Sequence, residues 1–182
     1  MSGFRSKGKG NEYESKIGKI LGEWWWGDPF PRSHGSGSSA TMSKGDVVHA
    51  GDLYVPPSFP WCVECKFQNG WSFDGLMKGN KELIISWWIK AVADAQKCGR
   101  PALLVFTKNR FPDYVMFEYS TDLSMVDVSP ICFIHPVVLT RCIIITLRDF
   151  MSTFGEVLDR VRCDARIISG AAGTTEEEEY NC

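Results

Sequence analysis

The sequence predicts an α/β fold, a central mixed β-sheet flanked by helices. Three observations predict it. Two long stretches repeat apolar residues at helical spacing, one within residues 11–26 and one within 81–98. Short apolar runs bounded by Gly and Pro lie between and after them. The two kinds of segment alternate as helix, strand, strand, helix, strand, strand, strand, helix, instead of segregating into halves. With 182 residues, 44% of them hydrophobic, the chain can bury a sizeable core as one domain. The expected division is a flexible basic N-terminus over 1–10, a single domain over 11–168, and a disordered acidic tail over 169–182.

Residues 1–10 are rich in Gly, Ser and Lys. The first helix then follows, with Asn11 as its N-cap and Tyr13, Ile17, Ile20, Leu21 and Trp24 on one face. Gly27, Asp28 and Pro29 end it. Residues 28–51, containing PFPRSHGSGSSATMSKGD, read as a long loop, a kind of segment that is often functional in compact domains. DLYV and WCVECKF read as two strands turned by PPSFP. The second helix carries Ile84, Trp88, Ala91, Ala95 and Cys98 as a stripe and stops at Gly99 and Pro101. ALLVFTK, YVMFEY and CIIITL supply three more strands. Phe150, Phe154, Val157, Leu158 and Val161 mark a last amphipathic helix.

Composition excludes several classes. No run reaches the roughly 18 apolar residues that a membrane span needs, and the start of the chain lacks the apolar stretch of a secretory signal. Seven scattered cysteines do not form a disulfide framework and suit reduced thiols in a cytoplasmic protein. The net charge of −2 hides a segregation: Arg5, Lys7, Lys9, Lys16 and Lys19 crowd the start, while four glutamates sit in the TEEEEYNC ending. A basic head of this kind suits phosphate contact or plain solvation.

The informative segment is GDLYVPPSFPWCVECKFQNGW, residues 51–71. Side chains alternate along a strand, so Glu64 and Lys66 share one face while Val63 and Cys65 share the other. A tight hairpin would bring Asp52 beside Glu64. Two converging carboxylates repel unless a cation lies between them, and Mg²⁺, held by one or two carboxylates plus water and phosphate, suits such a pair. A lysine there can orient a water or stabilise charge on a phosphate. The competing reading is an exposed Glu–Lys pair, but flanking Trp61, Val63 and Phe67 place these charges on a strand buried on at least one face, where they need a reason.

These residues resemble the D-x(n)-E-x-K signature of the PD-(D/E)XK nuclease superfamily. KGNEYESKIGKIL is similar to the opening helix of Holliday junction resolvases of archaeal or phage type, and RSHGSGSS to the Arg and Gly-Ser-Gly loop that follows it. The similarity runs in order over roughly residues 8–107. It implies a restriction-endonuclease-like core and a metal-dependent endodeoxyribonuclease acting on branched or double-stranded DNA. By that likeness Asp52, Glu64 and the Cys65 backbone carbonyl would hold Mg²⁺, with Mn²⁺ as a substitute. Lys66 would be the catalytic lysine and Glu14 the acid borne on the helix. Lys7, Lys9, Arg32, Ser36 and Lys44 would contact DNA. A junction resolvase makes paired nicks, so the resemblance also implies a homodimer, in a bacterial or archaeal cytoplasm, with a phage as a fitting source. A nuclease of the same fold with a repair, restriction or phage DNA-processing substrate fits the same residues, as does a non-catalytic DNA-binding module.

Two assignments stay open in the sequence. Glu14 competes with Glu12: at ~100° per residue they lie about 75° and about 125° from the centre of the apolar stripe, and Glu14 could instead complete a capping box with Asn11. Asp46 competes with Asp52 because KGDVVHAGDL repeats Gly-Asp. Asp52 enters a strand and lies twelve residues before Glu64. Cys62 and Cys65 form a CxxC, but in a strand their side chains point oppositely, against a zinc site. His34 and His49 read as loop residues, and Gln96 as a second-helix residue that could approach the site.

Overall fold

In the computed structural model, described over residues 3–33, 48–77, 83–118, 131–134 and 141–155, the fold is built around one strand, β3 (Cys62–Phe67). His34, Ser36, Lys44, Asp46 and the acidic tail lie outside the described residues. A five-stranded mixed sheet runs in the order β3, β4 (Ala102–Thr107), β5 (Tyr114–Glu118), β7 (Arg141–Thr146), β6 (Ile131–Ile134). β3 and β4 are parallel and every other pair is antiparallel. A parallel neighbour demands a crossover, and here it contains the short α2 (Phe73–Met77) and the long α3 (Leu83–Cys98).

The sheet separates two hydrophobic layers. On one face α1 (Gly3–Trp25) packs Tyr13, Ile17 and Leu21 against Val63, Cys65, Leu103 and Val105. On the other, α3 packs Ile84, Trp88, Ala91 and Ala95 against Cys62, Leu104 and Phe106. Alternation along β3 and β4 assigns each side chain to its layer. All six residues of β4 are buried, as expected of a central strand covered on both faces. A helical segment over residues 147–155 follows β7 directly and adds Phe150 to the α1 layer.

Four expectations are corrected. α1 begins at Gly3, so residues 3–10 are helical and Asn11 is no cap; its carbonyl accepts a bond from Ser15 Oγ at 3.0 Å. Residues 48–50 lie in a strand, so His49 belongs to no loop, and β1 (Val48–Ala50) forms a two-stranded antiparallel ribbon with β2 (Leu53–Val55). β2 therefore does not form a hairpin with β3. Strand β6 and helix α2 also have no counterpart in the sequence reading. Both are short, below the length at which periodicity distinguishes an element from a loop.

The ribbon meets the sheet at its turn. Gly51 bridges Val63 in parallel, and the Asp52 amide donates to the Val63 carbonyl at 2.8 Å. Gly51 has φ +75°, and a Cβ there would collide with the Val63 carbonyl. Both the backbone angle and the close approach need glycine. We expect Gly51→Ala to cost roughly 2–4 kcal/mol, combining left-handed strain with displacement of the ribbon. A denaturant midpoint equal to that of the parent chain would refute this.

Candidate active site

Asp52 sits at the open edge of β3. The edge groups of a strand belong to alternate residues. Even-numbered residues of β3 direct their amides and carbonyls toward β4, as the Cys62 amide bond to Pro101 illustrates at 2.8 Å. Odd-numbered residues direct theirs outward. Asp52 exploits this twice: its amide donates to the Val63 carbonyl, and its Oδ2 accepts from the Cys65 amide at 2.8 Å. The Cys65 carbonyl faces the same edge by the same parity.

Glu64 and Lys66 project from β3 on the α3 face, and their side chains form an ion pair through Glu64 Oε1 and Lys66 Nζ. Glu64 is only 3% exposed, which a carboxylate tolerates only when paired. It has a second partner that the sequence did not disclose. Lys90 of α3 donates to both carboxylate oxygens, at 2.7 and 2.8 Å, and reaches Asp94 at 3.0 Å. Burial works against the charged Lys90 amine, but its hydrogen bonds to Glu64 and Asp94 outweigh that and raise its pKa. Asp94 also accepts from Lys97 at 2.7 Å, and these two lysines hold its carboxyl below the usual range.

The Asp52 carboxyl is pushed up to about 6, first by burial and then by the nearby Glu64 charge; the Cys65 amide and Lys66 oppose the shift. Glu14 adds to the rise, so Asp52 senses all three of the other residues expected at the site. Glu14 lies on the α1 side and pairs with Arg32 Nε at 2.8 Å. Arg32, expected to contact DNA, thus has at least part of its guanidinium committed to Glu14. Glu12 is exposed, as its angular position implied.

A cleft of about 430 Å³ opens over these groups, lined by His49, Asp52, Glu64, Lys90, Asp94 and Cys98 among others. Gln96 is exposed and is not among its lining residues. Behind the cleft, Cys62 Sγ lies 3.4 Å from Cys98 Sγ, and burial followed by this contact pushes the Cys62 thiol up to about 12. Cys62 and Cys65 belong to opposite layers, which rules out a shared zinc. Among the described residues no group of three or more His, Cys, Asp or Glu side chains is arranged to hold a metal. The donors that do fit a hard cation are two mutually repelling carboxylates, Asp52 and Glu64, with the Cys65 carbonyl on the same edge.

The other candidates divide. Lys9 is exposed on α1, whereas Lys7 lies within α1 with its side chain outside the described set. Trp24 and Trp25 pack on the α1 layer, and Trp26 is 44% exposed. Among the described residues no helix is long and apolar enough to cross a membrane.

Residues 5–159, well over half of the chain, match the protein family described as "Phage putative PDDEXK endonuclease". No curated protein and no solved structure matches.

The raised Asp52 pKa has a measurable consequence. The folded chain holds this proton more tightly than the unfolded chain, whose carboxyl titrates near 4. The stability it contributes is complete below pH ~4 and is lost as pH rises through about 6. Asp52→Asn removes that loss. In EDTA its unfolding free energy should gain on the parent chain by about 2–3 kcal/mol between pH 4 and pH 7. A difference independent of pH in urea titrations would contradict the buried, repelled carboxylate.

Proposed function

The chain belongs to the phage PDDEXK endonuclease family, and on that premise we propose a divalent-metal-dependent endodeoxyribonuclease that resolves four-way DNA junctions. The observation that carries the catalytic part is the convergence of Asp52 and Glu64 at one edge of β3 with Lys66 on Glu64. Asp52 and Glu64 would hold the ion, Mg²⁺ or Mn²⁺, with the Cys65 carbonyl as a further oxygen. Such an ion, when bound, polarises the phosphodiester and lowers the pKa of a water.

The chain's own residues do the rest. Neutral or not in the free protein, Asp52 is drawn to its charged form by any cation between it and Glu64, since the repulsion that raises its pKa is then relieved. Lys66, two residues from Glu64, is placed to stabilise charge on the phosphate oxygens or to orient the attacking water. Lys90 holds the Glu64 carboxylate from the α3 side, which fixes its rotamer. Glu14, paired with Arg32, completes the acidic edge and orients nearby groups. Junction specificity, the homodimer that places two such sites for paired nicks, and work in the cytoplasm of an infected cell are extensions from the sequence resemblance.

Cleavage of a four-way junction and of a linear duplex, each with Mg²⁺, Mn²⁺ or EDTA, tests the proposal. Symmetric, metal-dependent nicks near the branch point are expected. Equal cutting of the linear duplex points to a different DNA substrate, and binding without cutting to a non-catalytic module. Glu64→Ala and Lys66→Ala should each lower the cleavage rate at least about 100-fold while retaining junction binding. Parental rates in both variants would overturn the site. Melting curves supply a second check. Mg²⁺ should raise the midpoint of the parent chain and fail to do so for Asp52→Asn.

A further inference from the structure

A second cleft, of about 380 Å³, lies on the opposite side of β3 from Glu64, between the first half of α1 and the turn after β4. Its wall combines rings, Tyr13, Phe67 and Phe111, with four cations, Lys9, Lys16, Lys108 and Arg110, against two carboxylates, Glu12 and Asp113, so its charge is net positive. Rings and cations are interleaved. Lys108 Nζ stands 4.4 Å from the Trp71 ring centre and 4.1 Å from that of Phe111, Lys16 lies over Tyr13 at 5.7 Å, and Lys9 over Phe67 at 6.0 Å. Lys16 is neutralised by Asp113 at 2.7 Å. Among the described residues Lys9, Lys108 and Arg110 have no carboxylate partner, and Lys108 is steadied by donating to the Trp71 carbonyl at 2.9 Å.

The turn is held ready. The buried Thr107 hydroxyl lies 2.8 Å from the Pro112 carbonyl and 3.1 Å from that of Phe111, and the Asn109 amide donates to Asn69 at 3.2 Å. Arg110 alone among the described non-glycine residues has positive φ, +67°. That left-handed residue closes the turn and sets the Arg110 side chain at the rim of the cleft. Phe111 remains 48% exposed, an unusual position for a ring on a pinned turn. Tyr13 is 4% exposed, and its hydroxyl has no hydrogen-bond partner at ordinary distance although the Asp113 carboxylate is near.

We propose that this cleft binds an unpaired segment of the DNA strand, its bases stacking on Phe111 and Phe67 and its phosphates meeting Lys9, Lys108 and Arg110. Ring faces accept any base, and fixed cations follow the backbone, so recognition is of single-strandedness and not of sequence. A duplex keeps its bases stacked inside and cannot use the rings. Phe67 directly follows Lys66, so the cleft borders the same end of β3 as the charged pair, on the other face of the sheet. The inference rests on the DNA-nuclease reading and adds to it a requirement for locally melted or branched DNA.

The probe is a fluorescently labelled oligothymidylate of about a dozen nucleotides, titrated with the full chain in EDTA beside a duplex of equal length. Phe111→Ala and Lys108→Ala should each weaken oligothymidylate binding about tenfold and duplex binding much less, and Phe111→Trp should restore it. Arg110→Gly relieves the left-handed strain, so it should melt no lower than the parent chain and still bind the oligothymidylate more weakly, which separates binding from folding. Unchanged oligothymidylate affinity in Phe111→Ala, or equal losses on both DNAs, would overturn the cleft. Cleavage assays on the same samples separate the two ideas. Metal-dependent cutting with unaltered oligothymidylate affinity removes the cleft alone, whereas selective binding losses without any cutting keep the cleft and remove the nuclease activity.

Discussion

Everything at the carboxylate edge depends on two hydrogen bonds by which Asp52 docks on β3, one through its amide and one through its side chain. An aspartate in a turn is ordinarily free to follow solvent. Here the backbone bond to Val63 fixes where the residue is, and the Cys65 amide fixes where its carboxylate points. A side chain on Gly51 would press on the Val63 carbonyl that accepts the first of these bonds and push the turn away from β3. The arrangement stores electrostatic cost, since a mostly buried acid is held near Glu64 with only one amide and Lys66 in compensation. Such cost persists where the surrounding structure over-determines the geometry, and the Gly51 bridge together with the β1–β2 ribbon does that.

Much of this was legible because a strand has a simple period. From the letters of WCVECKF, alternation alone separates Glu64 and Lys66 from Val63 and Cys65, and the structure keeps that separation across two core layers. Helical spacing likewise identified the buried faces of α1 and α3. The proximity of Asp52 to Glu64 was expected, but for the wrong reason. A short run followed by Pro-Pro reads as the first arm of a hairpin, whereas the actual partner, β1, lies upstream inside what looks like a polar loop. The parallel contact at Gly51 involves a single residue pair and leaves no periodic trace.

Lys90 was missed for a related reason. Helical spacing says which face of α3 is buried, not which strand it crosses or at what height. Lys90, Asp94 and Lys97 form a charged flank beside the buried stripe, and that flank was the available signal. The start of α1 was misjudged because glycines and lysines were weighed as a tail. Intrinsic helix propensity is low at the glycines, so the first turns owe their form to continuation of the helix that follows them. Arg32 shows the limit of reading charge by type: an arginine in a polar stretch suits phosphate, yet the fold sets Glu14 beside it.

The strict parity of β3 also constrains how the site can change over time. Its odd positions Val63 and Cys65 belong to the α1 layer, while Glu64 and Lys66 share the α3 face with Cys62, so a one-residue slip would turn Glu64 and Lys66 into the α1 layer, away from the Lys90 that pairs the acid. An acid or a lysine cannot drift along this strand by small steps. Lineages can replace one only by recruiting a residue from a neighbouring element that already reaches the same edge, and α3, with Lys90 in contact with Glu64, is such an element.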